Sequence, residues 1–286
     1  MSDPTRYRSE EEDSARWLDF PFREGDIVIS TRSKSGTTWM QMICALLILR
    51  TPDLPAPLAE SSPWLDWLIV PRDEVYARLA AQEHRRFIKT HTPSAGHAVS
   101  LYHQGDNLDR ERLRQLTGQP AHDQPANDRP DSARTPVRDW LVSWIDRDVA
   151  PEDELDSLPG VMWHLSDAWA RRDRPNIVLV HYADLLTDLE REMRRLAARL
   201  EITVPAKIWP ALIEAATFER MRLRADRLAP DPSGVLRARG AFFRRGTSGA
   251  GRELLTDEEM ARYHARTAQL APSDLLAWLH RETRPL

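Results

Sequence analysis

This sequence predicts an α/β fold, a three-layer domain whose central parallel sheet is flanked by helices, and three observations carry that expectation. Asp26-Ile27-Val28-Ile29-Ser30 is a short β-branched run behind Gly25, the composition of a buried parallel strand. Small residues from Thr31 to Thr38 follow it and lead into an apolar helix from Trp39, giving a strand, a phosphate-sized loop and a helix. Two more strand-like runs, Arg86 to His91 and Asn176 to His181, alternate with helical stretches, the pattern of a sheet covered on both faces.

Taken in order, the run Met40 to Leu49 is apolar but too short to span a bilayer, and it reads as a buried helix. The strand from Arg86 is stopped by Pro93. Gly105 to Pro136 is rich in Asp, Arg, Gln and Pro, which predicts a short helix from Leu108 to Leu116 and a mobile loop at about 118–136. After the third strand, apolar residues at Leu189, Met193, Leu196 and Leu200 predict an amphipathic helix from Thr187 to Leu200. Thr256 with Glu259 three residues later forms a capping box that opens a helix through about Arg266, and Ser273 starts another to His280. No internal repeat is visible, and residues 1–286 read as a single domain.

The charge balance narrows the partners. A net charge of -4 gives no global attraction to nucleic acid or to an anionic membrane, so any anion site must be local. Cys44 is the single cysteine, which excludes an intrachain disulfide and a four-cysteine zinc site and fits a reducing, cytoplasmic setting. The acidic run Ser9 to Asp13 lacks the basic and apolar regions of a signal peptide, and no segment predicts a transmembrane span. No carboxylate cluster suits magnesium, so no metal is expected. Among 40 basic residues the only lysines are Lys34, Lys89 and Lys207. A lysine kept in so arginine-rich a chain hints at a need for a compact charge on a flexible stem.

Ser33-Lys34-Ser35-Gly36-Thr37-Thr38-Trp39 is the strongest segment. Behind a strand and at the start of a helix, its backbone N–H groups and positive helix end suit a bound phosphate, with hydroxyls and a lysine as further donors. It is not the G-x-x-x-x-G-K-[ST] pattern, because the lysine precedes the only glycine. Trp39 offers an aromatic face for a base. Lys89-Thr90-His91 ends a strand, where the crevice of a parallel sheet lies, and puts Lys89 and His91 on one face. His84, His97, His103, His122, His164 and His181 are read as structural. Arg244-Arg245-Gly246 pairs two guanidinium forks with a glycine, which suits a phosphate dianion.

These segments resemble, in order and from about Asp26 to Leu279, the sulfotransferases that use 3'-phosphoadenosine-5'-phosphosulfate (PAPS). Lys34 to Trp39 is similar to their P-K-S-G-T-T-W loop, with Ser33 in place of proline; Lys89 to His91 is similar to their K-T-H segment. Phe242 to Gly249 resembles their F-x-R-K-G-x-x-G loop for the 3'-phosphate, although Ala250-Gly251-Arg252 stand where Asp-Trp-Lys is usual. Thr217-Phe218 resembles the pair that sets a ring on adenine, Tyr182 a base-contacting tyrosine, and Ser100 in His97 to His103 a 3'-phosphate serine.

The resemblance, most like actinobacterial members of small or lipidic acceptors, implies a P-loop nucleotide triphosphate hydrolase-like fold and sulfuryl transfer from PAPS to an acceptor hydroxyl. It implies His91 as general base, Lys34 on the leaving phosphate and Lys89 on the sulfuryl oxygens, with no metal. Tryptophans 64, 67, 140, 144, 163 and 169 flank the predicted crevice segments and suit either an apolar pocket for a lipid, glycolipid or phenolic alcohol or ordinary core and helix packing. One family element has no counterpart. An interior strand ending in a phosphate-binding arginine should follow K-T-H, yet only the eight residues Thr92 to Val99 separate His91 from Ser100. Arg138 lies too late in the chain to replace that arginine simply. Two rival readings remain at this point: a nucleotide kinase, and a non-catalytic paralogue that binds nucleotide or a partner. Oligomeric state is not legible.

Overall fold

The structure is a computed structural model that describes residues 6–9, 11–32, 35–92, 136–229, 239–243 and 245–281. Ile27–Ser30 (β1) and Phe87–Thr90 (β2) pair in parallel, Ile27 opposite Phe87 and Ser30 opposite Thr90. The residues just before each strand fix that register. Arg86 Nε donates to Asp26 Oδ1 at 2.7 Å in a buried ion pair, and Ile27 N donates to Arg86 O at 2.9 Å. On the outer edge of β2, Lys89 N donates to Pro63 O and Leu65 N to Lys89 O, so Trp64 forms an isolated parallel bridge with Lys89.

Successive residues of a strand face opposite sides, and β2 shows what each side packs against. Phe87 enters a core with Ile29, Met42, Leu46, Met193 and Leu212, while Ile88 enters a second core with Leu65, Val75 and Leu79. The first is built around Thr37–Leu49 (α1), which is apolar on nearly every side and buried accordingly. Helix α1 stops at Arg50, whose left-handed backbone lets its N–H reach Leu46 O at 2.9 Å. The second core lies under the helix Arg72–Ala80. A third cluster joins the helices Val137–Asp146 and Leu158–Ala170 to Leu275 and its neighbours near the C-terminus. Helices thus cover both faces of the parallel pair, as the sequence predicts.

The third predicted strand is a correction. Residues 177–180 form no ladder with any described strand. Their β-branched composition is suited to a sheet, but their carbonyls are taken by arginines of the helix that follows. Arg199 Nη2 donates to Ile177 O at 3.0 Å and Arg195 Nη2 to Leu179 O at 3.1 Å. The helix predicted from Thr187 to Leu200 is also divided. Thr187 ends the helix Tyr182–Thr187, and Asp188 caps Leu189–Arg199 by accepting from Arg191 N at 2.9 Å. The capping box is present, with Thr256 N donating to Glu259 Oε2 at 2.8 Å, and its helix runs on to Leu270. Ser273–Leu279 follows. Pro93, the helix predicted at 108–116 and most of the loop predicted at 118–136 lie outside the described residues.

Candidate active site at the carboxyl ends of the strands

The loop after β1 is held by its own backbone and by one ring. Gly36 has a φ of 91°, which favours glycine, and a Cβ there would meet the Tyr182 ring at 3.3 Å. Tyr182 in turn stands edge-on to Trp39, centroids 5.2 Å apart, and Trp39 Nε1 donates to Ala216 O at 2.8 Å. Thr31 and Thr37 hydroxyls bond across the loop. Ser35 N donates to Arg32 O at 3.2 Å, while Ser35 Oγ is buried with no hydrogen-bond partner. An orphaned hydroxyl at a helix start, under a glycine turn, is what a phosphate-sized anion would satisfy. Lys34 lies outside the described residues.

His91 follows β2 directly and is buried beside that loop. Its Nδ1–H donates to Thr31 O at 2.5 Å. A carbonyl only accepts, so this bond sets the tautomer and leaves Nε2 with a free lone pair. Burial, with Lys89 and Arg32 nearby, holds the imidazole well below its ordinary 6.5. Trp64 meets its edge at 4.6 Å between centroids. The same indole carries Lys89 Nζ over its face at 3.5 Å, and burial pushes that ammonium down to about 8.

Four charged residues that sequence reading left aside complete the surroundings. Arg32 is 5% exposed; it donates to His91 O and, at 2.7 Å, to Asp156 Oδ1. Burial opposes its charge, but the Asp156 and Glu12 carboxylates outweigh that and raise its pKa. Glu12 is buried and pushed up to about 8, chiefly by burial and despite Arg32. Asp66 accepts hydroxyl bonds from Thr90 and Thr92 on either side of His91. Two of them had a signal of a kind: Arg32 is an arginine inside a small-residue turn, and Asp66 an aspartate inside the apolar run from Trp64 to Val70. His164, read as structural, lies under the end of β1 with Nε2 at 3.4 Å from Ser30 Oγ.

The remaining segments reach this site through Phe218. Thr217 caps its short helix, accepting from Arg220 N. Gly246 has a φ of 65°, and a Cβ there would stand 2.6 Å from Phe218 Cδ2. Phe243 faces the same ring, centroids 6.3 Å apart. Contacts therefore run without a break from Gly36 through Tyr182 and Trp39 to Ala216, next to Thr217 and Phe218, and on to Gly246. Thr38 is buried at the first turn of α1. Arg245 is exposed and pairs with Glu253 at 2.9 Å. Arg244 and Ser100 lie outside the described residues. Arg138 is engaged elsewhere, donating to Glu259 at 2.5 Å.

The six tryptophans named from the sequence have three settings. Trp64 and Trp67 stack at 4.9 Å and line a cleft with Gln41, Val70, Lys89 and Leu228. Trp140, Trp144 and Trp169 belong to the third core, and Trp163 packs on Tyr7 at 5.2 Å. Among the described residues no group of three or more His, Cys, Asp or Glu is placed to hold a metal ion, and no helix is long and apolar enough to cross a membrane.

Comparison with known proteins gives a consistent result. The chain is 39% identical to a glycolipid sulfotransferase of Mycobacterium bovis, over 99% of this chain and 96% of that protein, and 38% identical to one of Mycobacterium tuberculosis with the same coverage. Human sulfotransferase 1C2 is 22% identical over 85% of this chain and 82% of its own. In fold it is similar to retinol dehydratase solved with retinol and PAP, with a TM-score of 0.60 at 17% identity, covering 95% of this chain and 88% of that one. Mouse sulfotransferase SULT7A1 solved with PAP gives 0.57 at 17% identity, covering 91% and 89%. These likenesses show the P-loop nucleotide triphosphate hydrolase-like fold. The family model described as sulfotransferase domain matches residues 24–104 and 95–273, and the chain belongs to that family.

Proposed function

We propose that this protein transfers the sulfuryl group of PAPS to a hydroxyl of a lipid-borne acceptor, of the glycolipid type named for its mycobacterial relatives. The observation that carries the reading is the juxtaposition at the strand ends. His91 donates through Nδ1 to the carbonyl of Thr31, at the root of the Lys34–Trp39 loop, and so keeps Nε2 as a base beside it. Sulfuryl transfer needs an in-line nucleophile and stabilisation of charge on the leaving oxygen. Bound PAPS supplies an activated sulfuryl group on a phosphate leaving group.

In this reading Lys34, Ser35, Gly36, Thr37 and Thr38 hold the 5'-phosphosulfate. Trp39, Tyr182, Thr217 and Phe218 enclose the adenine; Ser100, Arg244, Arg245 and Gly246 hold the 3'-phosphate. The orphaned Ser35 hydroxyl and the close fit of Gly246 on Phe218 support these assignments. His91 Nε2 accepts the proton of the attacking hydroxyl. Lys89, on the same face as His91, stabilises the sulfuryl oxygens, and Lys34 the leaving phosphate. The cleft of Trp64, Trp67, Val70 and Leu228 borders Lys89 and takes the apolar part of the acceptor. The single domain spans 1–286, and the setting is cytoplasmic.

A second reading, a chain that binds the nucleotide without turning it over, is favoured by one set of observations. The alignment with the Mycobacterium bovis relative runs over 316 positions, more than the 286 residues of this chain. The family match is broken into two pieces after the K-T-H segment, and residues 177–180 lack a sheet partner among the described strands. All three agree with a missing interior strand and its phosphate-binding arginine. Sulfate transfer from labelled PAPS to an extracted glycolipid panel decides between the readings. Transfer abolished by His91→Ala supports catalysis; saturable PAP binding with no transfer to any acceptor supports the second.

A further inference from the structure

His91 lies one residue beyond the end of β2, where the ladder no longer fixes the backbone, and both of its neighbours converge on one carboxylate oxygen. Thr90 Oγ1 and Thr92 Oγ1 each donate to Asp66 Oδ2 at 2.5 Å, and Thr92 N donates to Thr90 Oγ1 at 2.9 Å. Trp17 Nε1 reaches the same oxygen at 3.0 Å. Asp66 has no exposed surface, and its other oxygen, Oδ1, is buried without a hydrogen-bond partner. From this geometry we infer that Asp66 is a positioning residue for sulfuryl transfer, which fixes both residues flanking His91 and so aims the imidazole. The inference rests on the reading of His91 as the general base.

The physical case is one of opposed restraints. On the side of the loop after β1, Thr31 O accepts from His91 Nδ1 and Arg32 donates to His91 O. Those two bonds alone leave the ring free to swing about the line that joins them. The threonine hydroxyls tie positions 90 and 92 to a second anchor on another segment. Asp66 is itself fixed from the N-terminal segment, since Asp13 N donates to Asp66 O at 2.9 Å. An error of about 1 Å in the placement of a reacting group costs about 100-fold in rate.

The test uses the full-length protein as Asp66→Ala, Asp66→Asn and the double variant Thr90→Val/Thr92→Val. Asp66→Ala is expected to lower kcat about 100-fold while the KM for PAPS and the affinity for PAP stay within about twofold. Asp66→Asn, whose amide oxygen still accepts both hydroxyl bonds, should recover most of the rate. The threonine pair should reproduce the loss, and combining it with Asp66→Ala should add nothing further, because both act through one contact. Losses that multiply, a parallel fall in PAP affinity, or an unchanged kcat would each overturn the inference. If Asp66→Ala does not fold, the threonine pair and Asp66→Asn carry the test alone, and full activity of the threonine pair overturns it.

Nitrogen-15 spectra of the His91 ring separate this inference from the reading beneath it. A ring protonated on Nδ1 in the parent protein that becomes a tautomer mixture in the threonine pair supports positioning. A ring that stays protonated on Nδ1 in every variant overturns positioning alone. Turnover that survives His91→Ala removes the general base itself.

Discussion

Phe218 and Gly246 leave no room between them: a methyl group at 246 would stand 2.6 Å from Phe218 Cδ2 and 2.7 Å from Cδ1, and the glycine holds a φ of 65°. Gly246→Ala therefore meets both a clash and a strained backbone, of about 1–3 kcal/mol in sum. The exposed segment yields more easily than the ring, so the loop lifts away from Phe218. PAP affinity is expected to fall about 5- to 100-fold, while the melting temperature changes little. Calorimetric titration beside a melting curve reads both.

The pH profile follows from the two buried groups at the end of β2. His91 acts unprotonated, and burial together with Lys89 and Arg32 holds it well below 6.5. Lys89 acts protonated, and burial pushes it down to about 8. The acid limb of kcat/KM should thus lie below 6.5 and the alkaline limb near 8, as read in the free enzyme. His91→Ala should remove the acid limb and cost about 100- to 10,000-fold in kcat. Stability carries a matching sign. Below pH 6.5 the unfolded chain takes up the His91 proton first, so this group weakens the fold as pH falls through that value.

Arg245, assigned to the 3'-phosphate, is paired with Glu253 at 2.9 Å on the protein surface. Exposed pairs of this kind contribute about 0–1 kcal/mol. Glu253→Gln removes the competitor and should tighten PAP binding up to about fivefold. Arg245→Ala should weaken it. An unchanged affinity in both variants removes Arg245 from the phosphate site.

The pair Asp26 and Arg86 sits at the opposite end of the strands, with side chains 5% and 2% exposed. Asp26→Ala leaves a buried guanidinium without its carboxylate, which costs about 3–5 kcal/mol. Chemical denaturation should show that loss, with PAP binding to the remaining folded fraction unaltered.

What the sequence made legible was local. The loop from Ser35 to Trp39, the strand end at His91 and the capping box at Thr256 are each contiguous strings, and each lies in the element expected of it. The pairing of residues 177–180 was not legible, because a strand exists only with a neighbour. Here Arg195 and Arg199 hold its carbonyls instead. The charged surroundings of His91 were equally hidden. Arg32 and Asp156 are 124 positions apart, and Asp66 is 24 from Thr90, so no window of sequence contains either pair. Glu12 stood in an acidic run that sequence reading used only to exclude a signal peptide, yet it is buried and interacts with the Arg32 charge.

The account depends most on one nucleotide joining the loop after β1 to the segment around Gly246. Calorimetric titration of the purified protein with PAP, repeated for Lys34→Ala and Arg245→Ala, measures this directly. Saturable binding at one site, weakened by each substitution, is the expected result. A folded protein that gives no binding heat, or binds PAP equally well with both side chains removed, would contradict it.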